Sequence, residues 1–405
     1  MRLGKIVFSD RYFLVLCLMG LFAILSSTMS KSPVLNPYAT SLGAPSDLLG
    51  LVASVSTIPG ILISLPASSL SDIVGRRKML LFSACVFASA PFLYLFVATW
   101  WQLALVRFYH GFATAVFVPV TEAAVAERFP TKRGERISLF NSVTGVGRTL
   151  APALGGVILG LTSNGFHTLY LAVAVAGVTA FGLAFFMLSE LKKTEVENVP
   201  AQKTTGKMFK GWTQIVRNRS VLIVSLVQAS QYYVFGAVEF FIVGYTIDVA
   251  KLDVFYAGVF LSFEVAAVII AGPMLGRISD KKGRRTPIIF GSITSCLLLL
   301  AVPFTTQFPL LLLIAIGYGI GFAMVISSTS PLMSELAPLG LVGASMGFLC
   351  MMMDVGQTLG PFVSGIILVS FTKQYSALFA SLSFILVASS IVFFFSKTAK
   401  KKTQV

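Results

Sequence analysis

Ser71-Asp72-Ile73-Val74-Gly75-Arg76-Arg77 returns as Ser279-Asp280-Lys281-Lys282-Gly283-Arg284-Arg285, an offset of 208 residues. The same offset carries Glu127-Arg128-Phe129-Pro130 onto Glu335-Leu336-Ala337-Pro338. At 209, Gly147-x-x-x-Ala151-Pro152-x-x-Gly155-Gly156 maps onto Gly356-x-x-x-Gly360-Pro361-x-x-Ser364-Gly365. Three landmarks in one register point to a unit of about half the chain, duplicated in parallel orientation.

Working outward, both copies of the charged loop lie between long apolar runs. Of 405 residues 56% are hydrophobic and 12% charged, against about 25% charged in a soluble domain. A membrane span takes about 20 apolar residues. Twelve can be laid out, near 12–30, 48–67, 79–99, 102–123, 137–160, 167–189, 219–244, 254–275, 287–305, 308–331, 342–369 and 375–395. The expected fold is therefore an all-α polytopic membrane protein of twelve transmembrane helices in two pseudo-symmetric six-helix bundles. Residues 1–190 form the first bundle, 191–218 a linker, 219–395 the second bundle and 396–405 a basic tail.

The net charge of +15 could suggest a nucleic-acid partner, but its distribution argues for topology instead. With the N-terminus inside, 26 of the 31 Lys and Arg fall on inner segments, and only Lys31, Lys251 and Lys373 on outer ones. That bias places both termini in the cytoplasm of a cell or inner membrane, facing anionic lipid. Trp100 and Trp101 mark the outer interface between spans 3 and 4. In the linker, Met208-Phe209, Trp212 and Ile215-Val216 could lie flat on the inner surface. Cys17, Cys85, Cys296 and Cys350 stand one each in four apolar helices and read as small packing residues.

The loop Ser68-Ser69-Leu70-Ser71-Asp72-Ile73-Val74-Gly75-Arg76-Arg77 resembles the G-x-L-x-D-x-x-G-R-[RK] signature of the major facilitator superfamily, with Ser68 in place of its first Gly. The second copy, Gly276 to Arg285, keeps that glycine. The resemblance covers essentially the whole chain. It implies alternating access, with Asp72 and Asp280 holding one state closed on the inside. Physically, Gly75 and Gly283 let the chain turn, and Arg76, Arg77, Arg284 and Arg285 can anchor the loops to headgroups. In span 4, Leu103-x-x-x-Arg107-x-x-His110-Gly111 is similar to a second family motif, whose buried Arg is linked with proton coupling, His110 replacing its Gln. In span 5, Gly147 to Gly156 resembles the motif of the drug/proton antiporter branch. Gly147, Gly155 and Gly156 permit close helix approach, Pro152 a bend, and Gly360 and Pro361 repeat the device in span 11.

Few charges fall within the spans, and each costs at least about 2.5 kcal/mol at mid-bilayer. Arg107, Arg148, Glu239, Glu264 and Asp354 are the proton-coupling candidates. Asn141, Thr144 and Arg148 share one stripe of span 5, and Asp354, Gln357 and Thr358 one face of span 11. In the resembled fold spans 5 and 8 meet, which would let Arg148 pair with Glu264, either as a bond made and broken during transport or as a permanent bridge. Gln228, Gln231, Tyr232 and Tyr233 of span 7 suit an amphipathic solute, or else join helices to one another.

Gly343-Ala344-Ser345-Met346-Gly347 matches G-x-S-x-G but opens a helix rather than a strand-turn-helix elbow. His110 and His167 are not spaced for a metal, and no phosphate-cradling loop occurs. No enzymatic role, metal or cofactor is expected. The expectation is a monomeric secondary transporter whose partners are a small solute, protons and lipid. Proton-coupled efflux of amphipathic compounds is the favoured version. Uptake or uniport of a polar or anionic metabolite is the alternative, and a receptor or channel the non-transporter one.

Overall fold

The structure is a computed structural model that describes residues 10–129, 133–163, 165–191, 214–337, 342–372 and 374–396. Among these residues the regular structure is helical. It comprises α1 (Arg11–Met29), α2 (Leu35–Ser41), α3 (Leu49–Ser54), a 3₁₀ turn (Val55–Thr57), α4 (Ile58–Val74), α5 (Arg76–Tyr94), α6 (Trp100–Arg128), α7 (Arg133–Leu161) and α8 (Phe166–Leu191). Then come α9 (Arg219–Asp248), α10 (Val254–Lys282), α11 (Arg285–Ala301) with a 3₁₀ turn (Val302–Phe304), α12 (Phe308–Leu336), α13 (Val342–Ser370) and α14 (Tyr375–Phe395).

Ten of the described helices are long and apolar enough to cross a membrane. The other two expected spans have physical reasons to differ. Span 3 is α5, whose first turn carries Arg76, Arg77 and Lys78. Span 2 is broken into α3, the 3₁₀ turn and α4. Several helices run past their apolar stretch: α6 to Arg128, α10 to Lys282 and α12 to Leu336. Hydropathy registers only the lipid-buried part of a helix, whereas backbone hydrogen bonding continues through the interface.

Side chains fix several starts. Asp10 accepts from the Phe13 N–H, Asn218 from Ser220 and Val221, and Asp253 from Val254. Each satisfies donors that the first turn leaves open.

The chain forms two compact units, one of residues 1–44 and 55–202, the other of 45–54 and 203–405. In the first, α1 packs on α7 and α8, α5 on α8 and α6, and α4 on α6. In the second, α9 packs on α13 and α14, α11 on α14 and α12, and α10 on α12. The duplicated sequence thus produces the same five pairings twice. The first core is built around Phe13, Leu16, Phe87, Phe117 and Phe140. The second includes Val221, Ile288, Met333, Phe348 and Phe393.

Ile215 belongs to that second core and is fully buried, so it packs inward rather than lying on a membrane surface. Met208, Phe209 and Trp212 lie outside the described residues. Cys17 and Cys296 are buried as packing residues, while Cys85 and Cys350 are exposed.

A second internal echo is carried by tyrosines. Tyr38 donates to the carbonyls of Tyr94 and Val97 at the end of α5, and Tyr245 donates to those of Val302 and Thr305 just past α11. Each hydroxyl closes the carbonyl end of α5 or α11, where the last turn lacks intrahelical donors.

The short α3 belongs to the second unit. A Cβ on Gly50 would stand 2.0 Å from the Pro361 carbonyl oxygen of α13, so the two backbones touch. One residue past α3 the chain is back in the first unit.

Candidate functional site

The two signature loops come first, because the repeat makes them comparable. Gly75 and Gly283 both take positive φ, 99° and 90°. A Cβ at either position would meet nothing within 4 Å. It is the backbone angle, unfavourable for an L side chain, that requires glycine there. Arg76 donates to the Ser71 hydroxyl, and its counterpart Arg284 donates to Ser279 at 3.2 Å.

Arg284 also binds Asp280 at 2.5 Å and Glu335 at 2.9 Å, which joins the signature loop to the second repeated landmark. Its burial pulls the guanidinium pKa down, and the bonds to Glu335 and Asp280 more than reverse that, so it stands above the ordinary value. Arg285 donates to the Phe394 carbonyl and lies 5.1 Å over that ring, closing the end of α14. The side chains of Asp72 and Glu127 lie outside the described residues. Because both acids bound to Arg284 are more than half exposed, Arg284→Ala should cost only about 0.5–1 kcal/mol. The loss should shrink in about 0.5 M salt, as chemical unfolding at two ionic strengths would show.

Within the first unit Arg107 and His110 occupy one face of α6 and are each 3% exposed. Arg107 donates to the Ser56 hydroxyl at 2.5 Å. A Cβ on the neighbouring Gly111 would stand 2.2 Å from the Ser56 carbonyl oxygen, so α6 is seated on the 3₁₀ turn. His110 Nδ1 lies 3.3 Å from the Tyr94 hydroxyl and 3.4 Å from that of Ser30. Tyr94 stacks on Tyr170 at 4.3 Å.

Within the second unit Glu264 of α10 is 1% exposed, and among the described residues neither carboxylate oxygen has a hydrogen-bond partner. The groups whose charge bears on it or feels it are Glu239 of α9 and Tyr318 of α12. The Tyr318 hydroxyl is fully buried and also without a hydrogen-bond partner among the described residues. A Cβ on Gly319 would stand 2.4 Å from the Glu264 carbonyl oxygen, so α10 and α12 are pressed together at this acid. Sequence reasoning missed Tyr318, Tyr94 and Tyr170, because a tyrosine in an apolar helix gives no signal until its neighbours are known.

The remaining expected residues divide. Gln228 accepts from Thr329, and Gln231 donates to Ser292 at 3.0 Å. Both glutamines are buried and bind α9 to α12 and α11, the interhelical reading of the two offered. Tyr232 packs edge-on to Phe322 at 5.2 Å, and Tyr233, Gln357 and Asp354 are half-buried. Asn141 is exposed and donates to Glu122 at 3.5 Å, Thr144 is buried, and Arg148 is exposed. Arg148 stands in the first unit and Glu264 in the second.

The small-residue motif lines helix seams in both units. A Cβ on Gly147 would stand 2.6 Å from the Leu21 carbonyl of α1, and one on Gly155 3.1 Å from Pro33. In the second unit a Cβ on Gly356 or Gly360 would stand 2.1 or 2.0 Å from the Ala229 or Tyr233 carbonyl oxygen of α9. Pro152 and Pro361 lie inside α7 and α13.

Comparison with known proteins places these features in a family context. The family described as Major Facilitator Superfamily matches residues 16–349 and 263–405. An uncharacterised transporter of that type from Methanocaldococcus jannaschii is 22% identical, with 86% of this chain and 90% of the relative covered. A multi-drug resistance efflux pump PmrA homolog from Lactococcus lactis subsp. lactis is 24% identical, with 86% of each covered. Among solved structures, a bacterial homolog of the human lysosomal transporter Spinster, inward-facing and unoccupied, has a TM-score of 0.81 at 15% identity. It covers 98% of this chain and 100% of its own.

Proposed function

Because this chain belongs to the Major Facilitator Superfamily, whose members are multi-pass membrane transporters and not enzymes, we propose that it exports small amphipathic compounds in exchange for protons, by alternating access. The observation that carries the coupling is Glu264. An ionised carboxylate taken out of water without a bond or counter-charge bears its desolvation cost in full, and the charge acting on Glu264 is that of another acid, Glu239. Such a group exchanges a proton when water or a cation reaches it. Arg148 is the cation proposed for that exchange, each residue standing in its own unit. Asp354 and Glu239 are the further acids of the route, and Arg107 the buried cation of the first unit.

The export direction is supported by the relative named as an efflux pump. We place the protein as a monomer in the cell membrane with both termini in the cytoplasm, on the 26-to-3 division of basic residues. Its partners are then protons, solute and anionic lipid.

Purified protein in liposomes loaded with a pH-reporting dye should turn a gradient of amphipathic solute into a pH change. Solute movement without one would overturn proton coupling. Movement confined to polar metabolites would overturn the solute class.

A further inference from the structure

We infer that Arg107, with His110 and Tyr94, forms an anion-binding site inside the first unit, which takes the carboxylate of an amphipathic solute or a halide ion.

The first argument is charge. Arg107 is 3% exposed in a helix that crosses the bilayer. A cation there normally faces another charge, yet among the described residues no ion pair is made to it. Its hydrogen bond goes to the neutral Ser56, and the groups that feel its charge are His110, Tyr94 and Tyr170. The centre carries a positive charge and lacks a negative one.

The second argument is an inventory of donors and acceptors. Arg107 Nε has no hydrogen-bond partner among the described residues, and as a guanidinium nitrogen it can only donate. Ser30 spends its proton on the Ser27 carbonyl at 2.8 Å. The Tyr94 hydroxyl lies beside Arg107 and can accept from it, which leaves its own proton for His110 Nδ1 at 3.3 Å. In the tautomer that leaves Nδ1 to accept from Tyr94, His110 Nε2, buried and without a partner among the described residues, carries the hydrogen. Arg107 Nε, and in that tautomer His110 Nε2 three residues on along α6, are left with nothing to donate to among the described residues. A carboxylate or halide supplies the missing charge and acceptor together, whereas a cation or an amine would supply neither. Tyr94 stacked on Tyr170, with Phe87 edge-on to His110 at 5.9 Å, gives the centre a rigid aromatic wall.

This inference deepens the proposed function, by naming acidic amphipathic compounds as the solute class. Its test is binding in detergent at one pH, which involves neither a gradient nor a direction of transport. Its failure would therefore leave proton-coupled export standing.

Thermal unfolding should be followed with octanoate, with octanamide as the uncharged match, and with sodium chloride against sodium gluconate. Octanoate should raise the unfolding temperature in a saturable way and octanamide should not. Arg107→Gln should weaken the octanoate response at least 10-fold, while Arg107→Lys, which keeps the charge, should stay within about 3-fold of wild type. Chloride stabilisation that octanoate displaces assigns one site to both anions. A chloride effect that it does not displace, itself lost in Arg107→Gln, identifies a resident halide. Equal responses to octanoate and octanamide with no chloride effect, or full anion responses in Arg107→Gln, would overturn the inference. Should Arg107→Gln fail to fold, the comparison of octanoate, octanamide and chloride on wild type and Arg107→Lys still decides it.

Discussion

Gly360→Val should yield no folded protein: size-exclusion chromatography of detergent extracts is expected to show aggregate where wild type gives a single peak. Without a hydrophobic drive between helices in lipid, close backbone contact is what holds such a seam. A Cβ at position 360 would stand 2.0 Å from the carbonyl oxygen of Tyr233, and one turn earlier Gly356 leaves the same small clearance over Ala229. Neither obstacle is a side chain that can swing aside, so α9 and α13 must separate along the seam. That places the cost at about 4 kcal/mol or more, at the far end of what one substitution does. Gly272→Ala is the control, since a Cβ there meets nothing within 4 Å and the change is worth about 0.5–1 kcal/mol in the other direction. A Gly360→Val protein that elutes and melts like wild type would show that the helices are not in contact at this seam.

Glu264→Gln should abolish solute-driven pH change while moving the unfolding free energy by no more than about 1 kcal/mol. The two readouts together decide between the roles open to this acid. If Glu264 were half of a permanent ion pair, removing it would strand a buried cation at about 3–5 kcal/mol. Instead its oxygens have no partner among the described residues to lose, and glutamine nearly reproduces its shape without a titratable proton. Marked destabilisation would establish a structural bridge, and retained coupling would move the proton to Asp354 or Glu239. Tyr318→Phe, which deletes only the partnerless hydroxyl, is a milder companion. It is expected to alter the pH dependence of transport with little change in stability.

Much of the architecture was readable before the coordinates because it is written in long-range repetition. Gly75 and Gly283 were expected to turn the chain, and both hold positive φ. Glu335 was legible only as an aligned landmark, but the alignment is what Arg284 uses when it binds both acids. The residues that escaped share a cause. The break at Val55–Thr57 contains no Gly or Pro, and a hydropathy window passes over it. Tyr38 and Tyr245 perform one task at an offset of 207, one step out of register with the motifs, the first from a separate short helix and the second from within α9. Gln228 and Gln231 were expected to admit either a solute or a neighbouring helix, and sequence holds no information on which.

The docking of α3 on α13 also sets a timetable for synthesis. Gly50 enters the membrane early, but Pro361, against which it rests, is made roughly 310 residues later. At roughly 5–20 residues per second, that is a wait of about 15 to 60 s. Throughout it α3, the first segment of the broken second span, lacks the backbone that it later rests against. The first six spans therefore cannot mature as a finished object and then await the rest. Their last contact is supplied by the second-to-last helix to be translated.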